Sequence, residues 1–279
     1  MIGFNGKYLP AATHHGMRIT AACLGGQWVI GGKWLMTATQ QAILAAFGSA
    51  EGTQVIIRTN DYLNAIALTD TARAQQLADF IQEDPLLVCS LVETSKERYL
   101  VGDGMAYIVT NHAIGLHPRI IIEGYFCTIG NACIFQPIVG GVLKQDGWVT
   151  NPDGNMYYRY GASGWNGTRS MGTITGQRMN LDLSDRMIRD GVEYGSPITG
   201  YNFANYKDYN MRLWGASWSG SRTIEMGRVK MYDDTEQYLE LVPYLRTDGT
   251  CGMLDIISGI FYPNANTQGS FTIQLTDKP

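Results

Sequence analysis

The chain has 279 residues, a mass of 30.8 kDa and a net charge of −4 from 21 basic and 25 acidic side chains. Charged residues make up 16%, against about 25% in an average globular protein, and the chain carries 33 glycines, 16 tyrosines and 6 tryptophans. This excludes disorder, which needs high net charge and few aromatics, and a heptad coiled coil, and it leaves an aromatic-rich, glycine-turned, β-dominated protein.

The first 36 residues read as short strands with tight turns. The run from Leu24 to Leu35 reads as strand, turn, strand, with the glycine pairs Gly25-Gly26 and Gly31-Gly32 at the reversals. Thr37 and Gln40 form an S/T-x-x-Q capping box that opens a helix through Ala42–Ala46, and Gly48 is suited to end it. A second helix is predicted over 70–83, because Ala74, Leu77, Ala78 and Ile81 fall on one stripe and Pro85 disfavours helical geometry at Asp84. The apolar run 86–92 reads as a buried strand or packed linker. Residues 1–94 are therefore expected to form a small α/β unit for docking or oligomerisation.

Beyond it, strand-like runs recur at 106–110, 119–128, 132–139, 156–160, 172–175, 178–183, 211–214, 223–231, 239–246 and 271–275. In 223–231 the apolar phase shifts around Gly227, which suggests a bulge. Segment 183–190 reads as a helical turn or a polar strand edge. Many short strands separated by turn signals predict an antiparallel sandwich of two sheets over 95–279.

The end of the chain carries a pattern. Leu241-Val242-Pro243-Tyr244-Leu245-Arg246-Thr247-Asp248-Gly249-Thr250-Cys251-Gly252-Met253-Leu254-Asp255 is followed by Gly259-Ile260-Phe261-Tyr262-Pro263-Asn264. It resembles the last hairpins of concanavalin A-like, laminin G-like jelly-roll modules, which occur in phage structural proteins and gut-bacterial surface proteins. The segment from Tyr99 to Ile108 resembles their opening strand pair, and the strand from Gly227 to Tyr232 fits as well. The resemblance spans about two-thirds of the chain and implies a mainly β jelly roll. In physical terms, Asp248-Gly249 is a turn pair, Gly252 and Gly259 mark reversals, and Phe261 and Tyr262 put one aromatic on each strand face.

Some proteins of this fold are glycoside hydrolases with two carboxylates on one strand face. Here Glu123 precedes Gly124-Tyr125, Glu225 has no acidic residue two positions on, and Asp182 and Asp185 would face opposite sides of a strand. No G-x-S-x-G elbow occurs, and His112 and His117 have no Ser or Cys arranged nearby. No catalytic residue, no metal site and no cofactor is expected; Asp103, Asp146 and Asp153 are weak calcium candidates without a D-x-D-x-D loop. Cysteines 23, 89, 127, 133 and 251 lack zinc spacing and read as thiols.

A binding surface is the stronger expectation. Aromatics concentrate among Gly, Asn and Ser in the middle of the domain, and rings add contact area at low entropic cost. Trp165, Trp218, Tyr158, Tyr160 and Tyr206 are the candidate glycan-binding residues. The arginines are scattered among acids, so nucleic acid is not expected as a partner. No signal peptide and no membrane-length apolar run are read from Met1 onward.

Together with the resemblance, these features predict a non-catalytic structural or adhesive protein of a phage virion, a head fibre, capsid decoration or tail fibre, assembled in the host cytoplasm. Residues 1–94 would dock other virion proteins, the chain would self-associate as a dimer or trimer, and the jelly roll would face host glycans. The alternatives are a lectin-like surface module of a gut bacterium and a diverged glycoside hydrolase.

Overall fold

A computed structural model describes residues 3–4, 7–8, 12–14, 17–19, 22–24, 27–29, 37–128, 133–139, 142–143, 147–150, 156–159, 176–213 and 223–278. The chain divides into two compact units, Met1–Thr94 and Ser95–Pro279.

The first unit opens with three separate antiparallel hairpins: β1 (Gly3–Phe4) with β2 (Lys7–Tyr8), β3 (Ala12–His14) with β4 (Met17–Ile19), and β5 (Ala22–Leu24) with β6 (Gln27–Val29). Helix α1 (Ala38–Phe47) follows. Both bonds of its capping box form, from the Gln40 N–H to Thr37 Oγ1 at 3.0 Å and from the Thr37 N–H to Gln40 Oε1 at 3.1 Å. Gly48 ends α1 at φ 77° and leads into α2 (Ser49–Ala67). A Cβ on Gly52 would meet the Leu44 Cα at 2.9 Å, so glycine lets the two helices cross closely.

The sequence reading assigned no element to 49–67, where Val55-Ile56-Ile57 lowers helix propensity. Burial of Gly52, Val55 and Thr59 along one stripe supplies the missing stabilisation. Helix α3 (Thr71–Glu83) is capped by Asp70, which accepts the Arg73 N–H at 2.9 Å. The run after it is helical, correcting the expected strand or linker: Pro85 opens a 3₁₀ turn (Pro85–Leu87) that continues into α4 (Val88–Leu91). Proline suits a first helical position, where no N–H bond is lost. Ile43, Val55, Ala74, Leu77, Ile81, Leu87, Val88 and Leu91 are buried in this unit.

The second unit is mainly β. Its strands are β7 (Lys96–Gly102), β8 (Ile108–Ala113), β9 (Pro118–Cys127), β10 (Cys133–Val139), β11 (Val142–Leu143), β12 (Gly147–Thr150), β13 (Met156–Arg159), β14 (Met179–Leu183), β15 (Met187–Arg189), β16 (Val192–Glu193), β17 (Asn210–Leu213), β18 (Ile224–Met226), β19 (Val229–Asp233), β20 (Glu236–Leu245), β21 (Cys251–Asp255), β22 (Phe261–Pro263) and β23 (Phe271–Asp277).

Among the described residues all pairings of this unit are antiparallel, in two sheets. The smaller runs β13-β12-β10-β17-β8, with β11 on β10; the larger runs β16-β15-β14-β9-β19-β20-β21-β22, with β7, β18 and β23 joined through β9. Phe135, Trp148, Met211 and Leu213 from one sheet share a core with Ile120, Ile122, Leu181, Val229, Leu241 and Met253 from the other. This is an antiparallel β-sandwich, as the short alternating runs predicted.

Several local expectations change. Around Gly227 the chain switches partners: β18 pairs with β7 and β9, whereas β19 pairs with β9 and β20. A Cβ on Gly227 would lie 2.5 Å from the Glu123 carbonyl oxygen, so glycine permits the crossing. Segment 183–190 is neither a helical turn nor an edge: β14 turns into β15 over residues 184–186, and β15 pairs with β14 on one side and with β16 on the other. Run 172–175 lies outside the described residues.

Candidate functional site

The pattern residues near the C-terminus are organisers of turns. Gly249 sits at φ 86°, and Asp248 Oδ1 accepts the Thr250 N–H at 2.8 Å. Asp255 is fully buried; Oδ1 accepts the N–H groups of Glu240 and Ile257, both at 3.1 Å, and Oδ2 accepts the Ser258 N–H at 3.2 Å and its hydroxyl. Asn264 accepts the N–H of Tyr107 at 3.1 Å and donates to the carbonyls of Asn266 and Gly269, both at 2.7 Å. Gly259, at φ 74°, lies at a reversal as expected. Gly252 does not: it lies inside β21, where a Cβ would meet the Tyr262 carbonyl oxygen at 2.3 Å. Tyr262 is buried with its hydroxyl on Asn111, while Phe261 stays half-buried against Tyr244.

The arginines pair locally. Arg178 donates Nε and Nη2 to Glu225 Oε2 at 2.9 and 2.7 Å and stacks over Tyr99, Arg228 holds Glu240, and Arg212 lies over Tyr107. These contacts pair charge within the sheet surface.

A cleft of about 620 Å³ opens at one end of the larger sheet. It forms where β9 begins, where β14 turns into β15 and where β19 turns into β20, and a loop at 198–201 closes one side. Ile188, Ile198 and the buried Tyr201 ring give it apolar wall; His117, Arg119, Asp182, Ser184, Asp185, Arg186 and Asp234 supply polar groups.

The polar groups are fixed by their neighbours. Arg119 holds Asp182 with two bonds, Nε to Oδ1 at 2.8 Å and Nη2 to Oδ2 at 2.6 Å, and these bonds keep the guanidinium pKa raised. Ser184 donates to Asp185 Oδ1 at 3.1 Å, and Arg186 reaches Glu193 at 3.2 Å. The Tyr201 hydroxyl donates to the Pro118 carbonyl, and burial pushes its pKa well above the ordinary phenol value.

The expectation that Asp182 and Asp185 face opposite sides is corrected. β14 ends at Leu183, so Asp185 belongs to a turn and both carboxylates line the same cleft. Strand alternation applies only while the chain stays in a strand.

Among the described residues, His117, Asp233 and Asp234 form one group whose ligand atoms lie within 4.8 Å of one another and which could hold a metal ion. His117 Nδ1 is 3.1 Å from Asp234 Oδ1, and the His117 N–H donates to Asp233 Oδ1 at 2.7 Å. His112 lies apart from this group, with Nε2 3.6 Å from Asp255 Oδ2.

The predicted binding residues are distributed as follows. Trp165, Trp218 and Tyr160 lie outside the described residues, as do the calcium candidates Asp146 and Asp153. Tyr158 stands in β13 opposite Trp148 of β12. Tyr206 is half-buried against the core in the turn before β17 and is not among the residues that line the cleft. Asp103 is a turn acceptor for Met105, Ala106 and Ser270. Tyr201 falls within the aromatic-rich middle of the domain but not among the five candidates, and neither Ser184 nor Arg186 is among them. The signal available was weak: a run of polar residues between two short β segments, at 184–186.

No protein-family model matches the chain, and no curated protein matches it.

Proposed function

We propose that the chain is a non-catalytic structural and adhesive component of a bacteriophage virion that displays a concanavalin A-like jelly roll for attachment to host-surface glycans. The observation that carries the attachment reading is the cleft at the sandwich end. It combines an aromatic wall, Tyr201, with hydrogen-bonding side chains held in place by their own partners. Sugar recognition requires this combination, because hydroxyl groups need donors and acceptors and the faces of a pyranose need apolar surface.

A binding role is favoured over hydrolysis by the state of Asp182. Both of its oxygens accept from Arg119, so the carboxylate is held by the arginine rather than left free to approach a glycosidic bond. The virion assignment rests on the resemblance of 241–264 to modules of phage structural proteins and on the low charge of a chain suited to covering surface against partners. Contacts with one sugar are weak, and several copies on one particle would raise avidity by about 10² to 10⁴.

The test is a glycan array probed with the full chain, followed by titration of any hit. Binding should fall at least about tenfold, roughly 1.4 kcal/mol, in Asp185→Ala or Ser184→Ala. Loss in Trp165→Ala or Trp218→Ala instead would move the site to those segments. No binding across the array, together with absence of the protein from purified particles, would refute the reading. A hit with no particle association would favour a lectin-like surface module.

A further inference from the structure

The hairpins of the first 36 residues share one geometry. In β1–β2 the register is Gly3↔Tyr8 and Phe4↔Lys7; in β3–β4 it is Thr13↔Arg18 and His14↔Met17; in β5–β6 it is Cys23↔Trp28 and Leu24↔Gln27. Each pair is the previous one advanced by ten residues. The two residues joining the strands are Asn5-Gly6, His15-Gly16 and Gly25-Gly26, so glycine recurs at 6, 16 and 26. Two-residue connections ending in glycine suit hairpin turns with positive φ. The segment is a decapeptide hairpin repeat.

Such a repeat is incomplete by itself. Each hairpin is its own two-stranded sheet, and its strands are two or three residues long. A hairpin of that size is at best marginal alone, and among the described residues neither of its edges pairs with a further strand. Repeat units bury their surface only by packing on further units with the same spacing. Within the chain the series stops at three hairpins, of which β1 lies against β5, and among the described residues the strands after residue 95 are joined in the two sheets of the sandwich. A second copy of the same segment has it by identity, and a parallel, in-register copy meets every hairpin with its equivalent.

Composition agrees. Lys7, Arg18 and Lys33 are the only Lys, Arg, Asp or Glu residues among the first 36, and the first carboxylate side chain in the whole chain is Glu51. The register also sets apolar residues opposite one another, Ala12 with Ile19 and Ala22 with Val29. We infer that residues 1–36 are the self-association element of this protein, a ten-residue hairpin repeat whose partner is the same segment of further copies aligned in parallel. The inference deepens the attachment reading, since it supplies the multivalency, but it does not depend on any glycan or particle.

The full chain is tested by light scattering with size-exclusion chromatography. The expected mass is a multiple of 30.8 kDa. Ile19→Asp with Val29→Asp should give a monomer with the far-ultraviolet circular dichroism and melting transition of the sandwich retained, because each charge would be buried unpaired at a copy interface. Leu68→Asp, at an 88% exposed position outside the repeat, should leave the mass unchanged.

Raising the salt from about 0.05 to about 0.5 M should preserve the assembly, since the copies meet through apolar surface and carry like charge. A full chain that is monomeric at every concentration overturns the inference. So does an oligomer that survives the double substitution, or one that salt dissociates, which would indicate a polyanionic partner bridging the cationic segments. None of these outcomes bears on glycan binding, so failure here and failure of the attachment reading are distinguishable.

Discussion

At the residue scale, Asp255 and Gly252 carry more of the fold than their side chains suggest. Asp255 ends β21 and collects three backbone N–H groups and a hydroxyl at a site without solvent. Asp255→Ala removes all four bonds and leaves the buried Glu240 N–H unsatisfied, and it should destabilise the second unit by about 3 kcal/mol in urea unfolding. Gly252→Ala should be comparably damaging, because the atom it would strike is the backbone of β22 rather than a movable side chain.

Asp103 makes a pH prediction. Partial burial opposes its ionisation, but the N–H groups of Ala106, Met105 and Ser270 outweigh that and hold its pKa below the ordinary 3.8. A group with a depressed folded pKa contributes stability above its unfolded pKa and loses it as pH falls through the folded value. Asp103→Asn should therefore lower stability at neutral pH and flatten the acid limb below about pH 4, as followed by melting temperature against pH.

At the element scale, capping signals translated directly into structure. The Thr37–Gln40 box and the Asp70 cap are both formed, because each needs only residues within one turn of each other. Thr37→Ala should cost about 1 kcal/mol, measurable by thermal unfolding. Helix α2 escaped the reading for the opposite reason. Its β-branched run disfavours a helix locally, and the contacts that overrule this come from α1 and from Thr59 and Val55 meeting the rest of the unit. The run 86–92 failed similarly: a short apolar stretch has no period to tell a strand from a helical turn. In the second unit, alternation correctly located most strands but not the place where β18 gives way to β19, nor the turn at 184–186 that brings Asp185 round beside Asp182.

At the scale of the whole molecule, no helix among the described residues is long and apolar enough to cross a membrane. Burial dominates the tyrosines of the sandwich. Tyr201, Tyr238 and Tyr99 have pKa values raised by desolvation far above the ordinary phenol, and Tyr262 is pushed up to about 12 by burial and then by Asp255. The folded state thus holds these protons longer than the unfolded state. The stability they contribute is complete below about pH 10 and lost as pH rises through the folded values. Absorbance at 295 nm should show these tyrosines ionising only as the fold melts, and Tyr262→Phe should shift the alkaline transition upward.

Local chemistry was legible without coordinates. Helix caps, turn glycines, strand alternation and the low charge each depend on residues close in sequence, and together they determined the β-sandwich class and the small α/β start. The cleft was not legible, because Arg119 and Asp182 meet across 63 positions and Tyr201 joins them from a third segment. Aromatic count alone could not separate Phe203, which packs in the core against Phe135, from Tyr201, whose ring also walls the cleft. Only the pairing of β9 with β14 and β19 decided that, since distance along the chain carries no information about which faces a folded sheet brings together.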